Sequence, residues 1–596
     1  PVSMHDINDK SEQSGYYMNF SLDVDIIKNM LSAKVLYGLN KENTSRDSYI
    51  PSDVYYALQR KSRGNLGYGK RQQSTLEGTL TFQHKFGELL DMNLMAGMGR
   101  YLDSGDGSDI SYENANDHIQ GSSVGMADGP FYPTSYKYKN EKRSQFVRGN
   151  FDLLGRYVVS ASLRRDGTDK FFPSKKYALF PSVSLAWKMN EESFIKNISW
   201  INMLKLRASY GETGSDNLGT TLYGIVTTTR EDVQFNNNSV TYIPYILSGA
   251  NYEDVTWQKT VMKNIGLDFS VLRDRIWGSV DVFRNDVTHL LGTAPTELLG
   301  MHGTRPINGG HYKRTGVDVS LNSLNLQTHD FKWTSQITLS HYNAVWIERM
   351  PNYDYQKYQK RKNEPMNAFY YYKTTGIINV DKSNMPESQR SLGPAACMPG
   401  YPIVEDKNGD GIIDVNDSYM DNTLPKLYFG FGNTFTWKNF DLDIFMYGQL
   451  GVKKWNDAYG NSIDVGGLSR GVDAHNVGIY SYNIWNTQTN TNGRFPGIAI
   501  SKSVALPENL GFDYTRENAS YIRVRNITLG YNLGPKELSV FKGYIRGIRV
   551  FVDFQNPLTF TKYKGYDPEI NTSSSNLTGG QYPQMRVYSI GAKLTF

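Results

Sequence analysis

The sequence predicts an all-β fold, a transmembrane antiparallel β-barrel, on three observations. Segments of about ten residues alternate apolar and polar, tight turns alternate with long polar connections, and no run approaches the roughly 18 apolar residues that a spanning helix needs. A bilayer admits only helices and closed barrels, so the lack of such a run leaves only the barrel, and a negative overall hydropathy does not exclude a membrane. A soluble chain of 596 residues would ordinarily split into several domains, yet no linker composition interrupts this one. Its 42 Tyr, 27 Phe, 9 Trp and 55 Gly suit many half-polar strands.

The first segment sets the pattern: Met18, Phe20, Leu22, Val24 and Ile26 alternate with Asn19, Ser21, Asp23 and Asp25. The same parity holds at Leu76, Gly78, Leu80 and Phe82, at Leu90, Met92, Leu94, Ala96 and Met98, and at Ile265, Leu267, Phe269 and Val271. One face suits lipid and the other a polar lumen, so lysine is expected to be costly at Leu267 and mild at Asp268. Seventeen strands are expected near 16–26, 31–39, 74–85, 89–101, 143–153, 156–166, 178–188, 202–212, 260–272, 276–287, 311–322, 331–342, 425–437, 440–451, 520–533, 545–556 and 585–596. Two-residue hairpin loops are expected at Leu154-Gly155 and Lys438-Asn439. The long connections, 40–73, 102–142, 213–258, 288–310, 343–424, 452–519 and 557–584, fall on the other rim, which in such barrels faces outward.

Bacterial single-chain barrels have even strand numbers, so an odd count that begins and ends with a strand running toward the periplasm implies that these residues, 1–596, are the C-terminal portion of a larger wall. Parity also places the strand-like NAFYYYKTTGI, 367–377, inside the 343–424 external loop and not in the wall. The last strand ends on an aromatic, Phe596. The first residues have neither a charged n-region nor an apolar h-region, so the start reads as internal to a longer precursor.

A formal charge of +5 on 64 basic and 59 acidic residues, without a basic run, argues against a nucleic-acid partner. The single cysteine, Cys397, excludes an internal disulfide or thiolate metal site and reads as an incidental buried thiol. HExxH, GxSxG and GxxxxGK[ST] are all missing and the nine histidines are scattered, so no catalytic residues are assigned and no enzyme is expected. The aromatic stretch 353–360, Trp455 and Trp485 suit either sugar or peptide stacking or loop packing.

One motif has the spacing of chemistry. Residues 406–417, DKNGDGIIDVND, place Asp406, Asn408 and Asp410 at positions 1, 3 and 5 of a calcium loop, Gly411 at 6, Ile412 at 7, Asp414 at 9 and Asp417 at 12. Alternating carboxylate and amide oxygens, a glycine for the sharp turn, the backbone carbonyl of Ile412 and a closing carboxylate suit a hard cation, so structural Ca2+ is expected. Asp in place of Glu at position 12 shortens the closing ligand.

Six stretches taken together resemble the SusC/RagA-like family of TonB-dependent outer-membrane transporters. They are LRRDGTDKFFPSKKYALFPSVSLAW (163–187), LKLRASYGETGSDN (204–217), WQKTVMKNIGLDFSVLRDRIWGSVDVF (257–283), VEDKNGDGIIDVND (404–417), NASYIRVRNITLGYNLGP (518–535) and FVDFQNPLTFTKYKGYDPEI (551–570). The resemblance implies a 22-stranded barrel, of which about 17 strands are present, closed by an N-terminal plug that lies with the TonB-contacting segment outside this chain. It implies an outer-membrane nutrient importer of a Gram-negative bacterium, driven through the TonB complex, capped by a SusD-like surface lipoprotein and paired as a dimer of transporter–lid pairs. It also implies oligosaccharide cargo, or peptide cargo, with the 343–424 and 452–519 loops as the lid contacts. A passive porin, a surface adhesin and a barrel enzyme are the alternatives.

Overall fold

The computed structural model describes the chain outside residues 1–6, 55–60, 116–123, 219–227, 231–234, 238–239, 243–244, 248–252, 296–303, 352–354, 357, 360–362, 457–481, 498–505, 535–536, 539, 541–543, 566, 571–582 and 596. Among the described residues, seventeen long strands belong to one sheet. They are β1 Asn8–Ile27, β2 Leu31–Ile50, β3 Arg63–Phe86, β4 Leu90–Glu113, β5 Phe131–Leu153, β6 Tyr157–Thr168, β7 Tyr177–Lys188, β8 Ile201–Ser215, β9 Gln258–Val271, β10 Ile276–Pro295, β11 Thr304–Gln327, β12 Phe331–Glu348, β13 Leu427–Trp437, β14 Phe440–Leu450, β15 Tyr521–Leu533, β16 Gly547–Thr561 and β17 Val587–Thr595. All seventeen expected strands are present in their expected places. No helix among the described residues is long and apolar enough to cross a membrane. Phe596 lies outside the described residues.

The chain forms two compact units: Pro1–Trp187, Ser209–Val261 and Val287–Gly309 in the first, and Lys188–Ala208, Met262–Asp286 and Gly310–Phe596 in the second. In the first unit the antiparallel register of β1 to β7 lines up Val24, Ala33, Leu80, Ala96, Val147, Leu163 and Pro181 in one row. The adjacent row is Asp25, Ser32, Thr81, Met95, Arg148, Ser162 and Ser182. Because side chains alternate faces, the first row is apolar across seven strands and the second is polar at every position but Met95. The second unit repeats the device over β11 to β17. Leu326, Trp333, Phe435, Leu442, Leu529, Val552 and Ile590 share one row, beside Thr334, Thr434, Asp443, Thr528, Asp553 and Ser589 on β12 to β17.

On the polar faces charges pair across strands. Arg207 of β8 donates to Asp268 of β9 at 2.6 and 2.8 Å and lies 3.2 Å from Asp281 of β10. Asp268 thus points away from the exposed Ile265 as expected, but its tie to Arg207, with Lys205 3.6 Å away, means that lysine there would gather three cations. Lysine at Asp268 is therefore expected to cost more than its lumen-facing parity alone indicates, because the position is part of an ion cluster.

Three connections are shorter than the sequence indicates: 40–73 shrinks to 51–62, 102–142 to 114–130 and 288–310 to 296–303. β2 to β5 run 20 to 24 residues, about twice what a tilted strand needs to cross a bilayer. Beyond the apolar rows both faces are polar, which hides the strand from any alternation test, while backbone pairing and Arg46–Asp9, Arg71–Asp103 and Arg100–Glu141 contacts of 2.7 to 2.9 Å continue the ladder. Tyr49, Tyr112, Ala115 and Ala127 close the extension with a small core. Tyr112 packs against Gly64, where an added Cβ would lie 2.2 Å from the tip of its ring.

The Lys438-Asn439 loop has two residues as expected. The other hairpin has three, Leu154-Gly155-Arg156, because Leu153 faces Tyr157 and the Arg156 N–H bonds back to the Leu153 carbonyl at 2.9 Å. The first two of those residues take left-handed φ of 54° and 67°.

The register predicts opposite responses at adjacent residues. Leu80→Lys, on the apolar row, should cost about 2–4 kcal/mol, whereas Thr81→Lys, on the polar row, should cost under about 1 kcal/mol. Equal losses in equilibrium unfolding from detergent or lipid would reject the assignment of faces.

Candidate functional site

The wall strands end in two polar clamps that hold the connecting segments. In the first unit, LRRDGTDKFFPS and GETGSDN meet at Asp216, just past the end of β8. Its carboxylate accepts from Lys142 Nζ at 2.6 Å and from Thr168 Oγ1 at 2.9 Å. Burial pushes the Asp216 carboxyl up, but the Lys142 ammonium and the Thr168 hydroxyl outweigh it and hold it below the ordinary range. Beside this contact Phe171, Phe180, Val255 and Trp257 form a buried core, and the Trp257 indole N–H reaches the Lys176 carbonyl at 3.1 Å. Three of the segments that carried the family resemblance are thereby explained as one rim clamp.

In the second unit the clamp is Arg523, on β15 and only 3% exposed. Its guanidinium donates to Asp567 at 2.7 Å and to Glu569 at 2.5 Å, and Glu569 also accepts from the Tyr447 hydroxyl of β14. This joins YIRVRN to KGYDPEI and anchors the connection between β16 and β17. For Asp567, burial raises the carboxyl, and the Glu569 and Gln584 backbone N–H groups together with Arg523 more than reverse it.

Above β12 to β15 the two longest connections fold together. Ala368–Tyr372 pairs antiparallel with Tyr419–Asn422 and parallel with Gly511–Phe512, so one strand of the 343–424 segment is flanked by its own chain and by the 452–519 segment. Lys453–Trp455 pairs with Arg516–Asn518. NAFYYYKTTGI therefore lies outside the wall, in two short loop strands. The module has its own core: Tyr372, Val404, Ile413 and Leu506 in one cluster, and Ile378, Ala396, Tyr401 and Ile403 in a second, with Leu392 and Phe512 packed against both. Burial pushes the Tyr401 hydroxyl up to about 12. Arg516, its side chain 5% exposed, pairs with Asp421 at 3.1 Å and lies 4.2 Å over the Phe369 ring. Cys397 is a half-buried free thiol.

Of the aromatics named from sequence, Tyr355 packs on Arg349, Tyr358 on Tyr370, and Trp485 is 6% exposed. These are packing residues. The side chain of Trp455 lies outside what is described.

The 406–417 loop sits on this module. Ile413 is buried in the first cluster, and the Tyr372 hydroxyl donates to the Asp414 carbonyl at 3.0 Å while lying 3.5 Å from the Pro507 carbonyl of the second segment. Tyr372 was not singled out in the sequence, since one tyrosine among 42 has no local mark. The loop folds on its own oxygens. Asp406 accepts from the Gly409 and Gly411 N–H groups at 2.7 and 2.9 Å, Asn408 from Asp410 N–H at 3.0 Å, and Asp410 from Ile412 N–H at 2.9 Å. Both glycines take left-handed φ, 74° and 83°, which their neighbours' side chains would resist. Asp417, fully buried, accepts from Lys407 and Asp414 N–H groups at 2.9 and 2.8 Å, and Asp414 caps Asn416.

Asp406, Asn408 and Asp410 are thus gathered into one turn by their backbone, and every side-chain donor at positions 1, 3, 5, 9 and 12 is an oxygen. The donor set fits a hard cation. Among the described residues, no three acidic or histidine side chains converge as a formed metal cluster. A cation would draw on the second lone pairs of oxygens that now accept N–H groups, and would replace the 2.9 Å bond from the Asn408 amide to Asp410.

The second clamp yields a test. Asp567→Ala leaves a buried guanidinium half paired and should cost about 3–5 kcal/mol, whereas Glu569→Ala, at a site 27% exposed, should cost less. A carboxyl held low in the folded state stabilises fully above its unfolded value of 3.8 and loses that contribution as pH falls through the folded value. Amide exchange around Lys562–Lys564, divided by the intrinsic rate at each pH, should therefore quicken on acidification from about pH 5 to about pH 3 in the native protein. In Asp567→Ala it should be fast already at neutral pH. Exchange independent of both changes would show that the clamp holds nothing.

With that geometry in place, comparison with known proteins shows what the wall is like. The chain is 26% identical to TonB-dependent receptor P3 of Formosa agariphila over 99% of its own length and 58% of that protein. It is 28% identical to TonB-dependent receptor SusC of Bacteroides thetaiotaomicron over 78% of its own length and 44% of that protein. The chain spans about half the length of these relatives. The structure of the RagAB peptide transporter shares its fold, with a TM-score of 0.79 at 21% identity over 99% of this chain and 63% of that one. Residues 2–556 match the family described as TonB dependent receptor-like, β-barrel, and the chain belongs to that family of outer-membrane proteins.

Proposed function

We propose that this chain is the pore wall of a TonB-dependent outer-membrane nutrient importer that works with a SusD-like surface lipoprotein and takes up oligosaccharides. The observation that carries the reading is the cored module built from the 343–424 and 452–519 segments above polar-faced wall strands. A passive barrel needs only open loops, whereas a lid protein needs a shaped landing surface. Likeness to a receptor named SusC supports the oligosaccharide cargo, and the RagAB fold supports peptide cargo as the second reading. The plug and the segment that TonB pulls would belong to the part of the relatives that this chain does not span. In this reading the wall insulates the path from lipid, no bond in the cargo is broken, and the working unit is a dimer of transporter–lid pairs.

Native purification in mild detergent tests the assembly. A SusD-like lipoprotein should co-purify in equal amount, and energised uptake should require TonB. Uptake that persists without TonB would establish a passive barrel in its place, and no uptake under any condition an adhesin.

Within the module, Asp406, Asn408, Asp410, the Ile412 carbonyl, Asp414 and Asp417 are proposed to hold structural Ca2+. The ion would cross-link a loop that no disulfide braces. At a hundredfold excess over its Kd, Ca2+ should stabilise by about 2.7 kcal/mol. Asp410 is exposed, so Asp410→Ala, which loses two exposed hydrogen bonds, should lower the calcium-free melting temperature only slightly and remove its rise on adding Ca2+. A melting curve that ignores both Ca2+ and chelator would remove the ion from the account.

A further inference from the structure

The polar face of the second unit holds a cavity of about 650 Å³, within the size range of small-ligand pockets, just below the loop module. Its floor is rich in hydroxyls, with Ser320, Thr338 and Ser340 among them, and its wall is aromatic, from Tyr428, Phe445 and Tyr447. Tyr428 is held rigid from behind. It stacks on Tyr342 at 5.7 Å with the rings 2° from parallel, and Arg314 lies 3.8 Å over the far ring. Phe445 lies in the space left by Gly430 and Gly432, where added Cβ atoms would meet its ring within 3.5 Å.

Arg525 gives the cavity its charge. β14 and β16 both skip this residue: Val524 faces Met446 and Leu558, Asn526 faces Phe445 and Gln555, and Arg525 opposes neither strand. It is a bulge residue, freed from the alternation that governs its neighbours and turned into the cavity. Among the described residues it has no ion pair, and its side chain is exposed. The two carboxylates in the same cavity are otherwise engaged. Glu569 is satisfied by Arg523 and Tyr447, and Asp318 accepts from the Ser340 hydroxyl at 2.6 Å.

We infer that this cavity is a subsite for an anionic oligosaccharide, in which the aromatic wall stacks on a sugar ring and Arg525 pairs with an acidic substituent of the sugar. The inference rests on the importer reading and narrows its cargo. Aromatic faces carry negative charge density that attracts the polarised C–H face of a pyranose ring. A guanidinium fork binds a carboxylate or sulfate through paired hydrogen bonds. Asp318 and the floor hydroxyls are matched to sugar hydroxyls. A peptide fits less well, because an extended peptide gains most from an open strand edge, and β12, β13 and β14 are paired on both sides.

The test is binding of trigalacturonate, its uncharged methyl ester, a sulfated galactan trimer and an acidic tripeptide to the full-length protein in detergent, by calorimetry. Trigalacturonate or the sulfated trimer should bind at least about tenfold more tightly than the ester, and which of the two does so identifies the acidic group as carboxylate or sulfate. Arg525→Gln should erase that tenfold preference, with Arg525→Lys retaining part of it. Tyr428→Ala should weaken acid and ester alike. Equal binding of charged and neutral trimers, a preference unmoved by Arg525→Gln, no trimer bound at all, or the tripeptide bound most tightly would each overturn the subsite. TonB-dependent uptake is scored separately: its loss with the acid preference intact would refute the importer and leave the subsite standing.

Discussion

A backbone N–H or C=O left unpaired in hydrocarbon costs several kcal/mol, so a strand in a bilayer has no option but to pair along its length with a neighbour. That demand fixes register, and register fixes which residues meet lipid. Because the side-chain period is two, sliding any strand by one residue would carry its entire apolar set to the polar face. The seven-residue apolar row from Val24 to Pro181 is the result: seven separate strands, each set by its neighbours, deliver one apolar residue apiece to the same height. No single residue in the row is indispensable to the pattern, yet the pattern admits no second register.

The same constraint explains how the external segments are held. A strand that must end at the membrane surface leaves its connection with little apolar material and, in a chain with one cysteine, no disulfide. The chain answers with buried charge. Asp216 and Arg523 each sit at the end of a wall strand, each below a tenth exposed, and each collects groups from segments far away in sequence. Such pairs contribute little beyond a well-packed apolar contact, but they are costly to break and directional. They therefore fix where a loop leaves the wall more than they raise total stability. The Tyr372 hydroxyl does the same on a smaller scale, joining the calcium-type loop to the second segment through two carbonyl contacts.

How much of this the sequence discloses follows from the same physics. Wherever a strand has one apolar and one polar face, as at Leu76 to Phe82 or Ile265 to Val271, period-two alternation reveals it, and all seventeen strands are found that way. Where β2 to β5 rise beyond the membrane both faces turn polar, so KENTSRDS and KYKNEKR read as loop although their backbones are fully paired. The oxygen spacing of 406–417 is local and visible. Its seat is not: Tyr372 meets Leu506 and Phe512 from more than a hundred residues away, and nothing in their neighbourhoods announces the meeting. The ion partner of Asp268 is hidden for a related reason, since face can be read from parity while a partner on another strand cannot.

In a wall built this way, a side chain on a regular strand has only two directions available, and one of them is spent on lipid. Recognition that depends on a particular group at a particular height must then use the remaining face, where neighbours at 4.5–5.5 Å on adjacent strands tend to neutralise any charge, as Arg207 does for Asp268 and Asp281. A bulge escapes both restrictions, because the extra residue belongs to neither face and opposes no cross-strand partner. Arg525 is such a residue, and among the described residues its guanidinium has no ion pair, while Arg523, two positions earlier and in register, is consumed by Asp567 and Glu569. The difference between those two arginines is a matter of register alone. It locates the wall's capacity for selectivity at the point where the ladder is interrupted, beside the connections that no bilayer constrains.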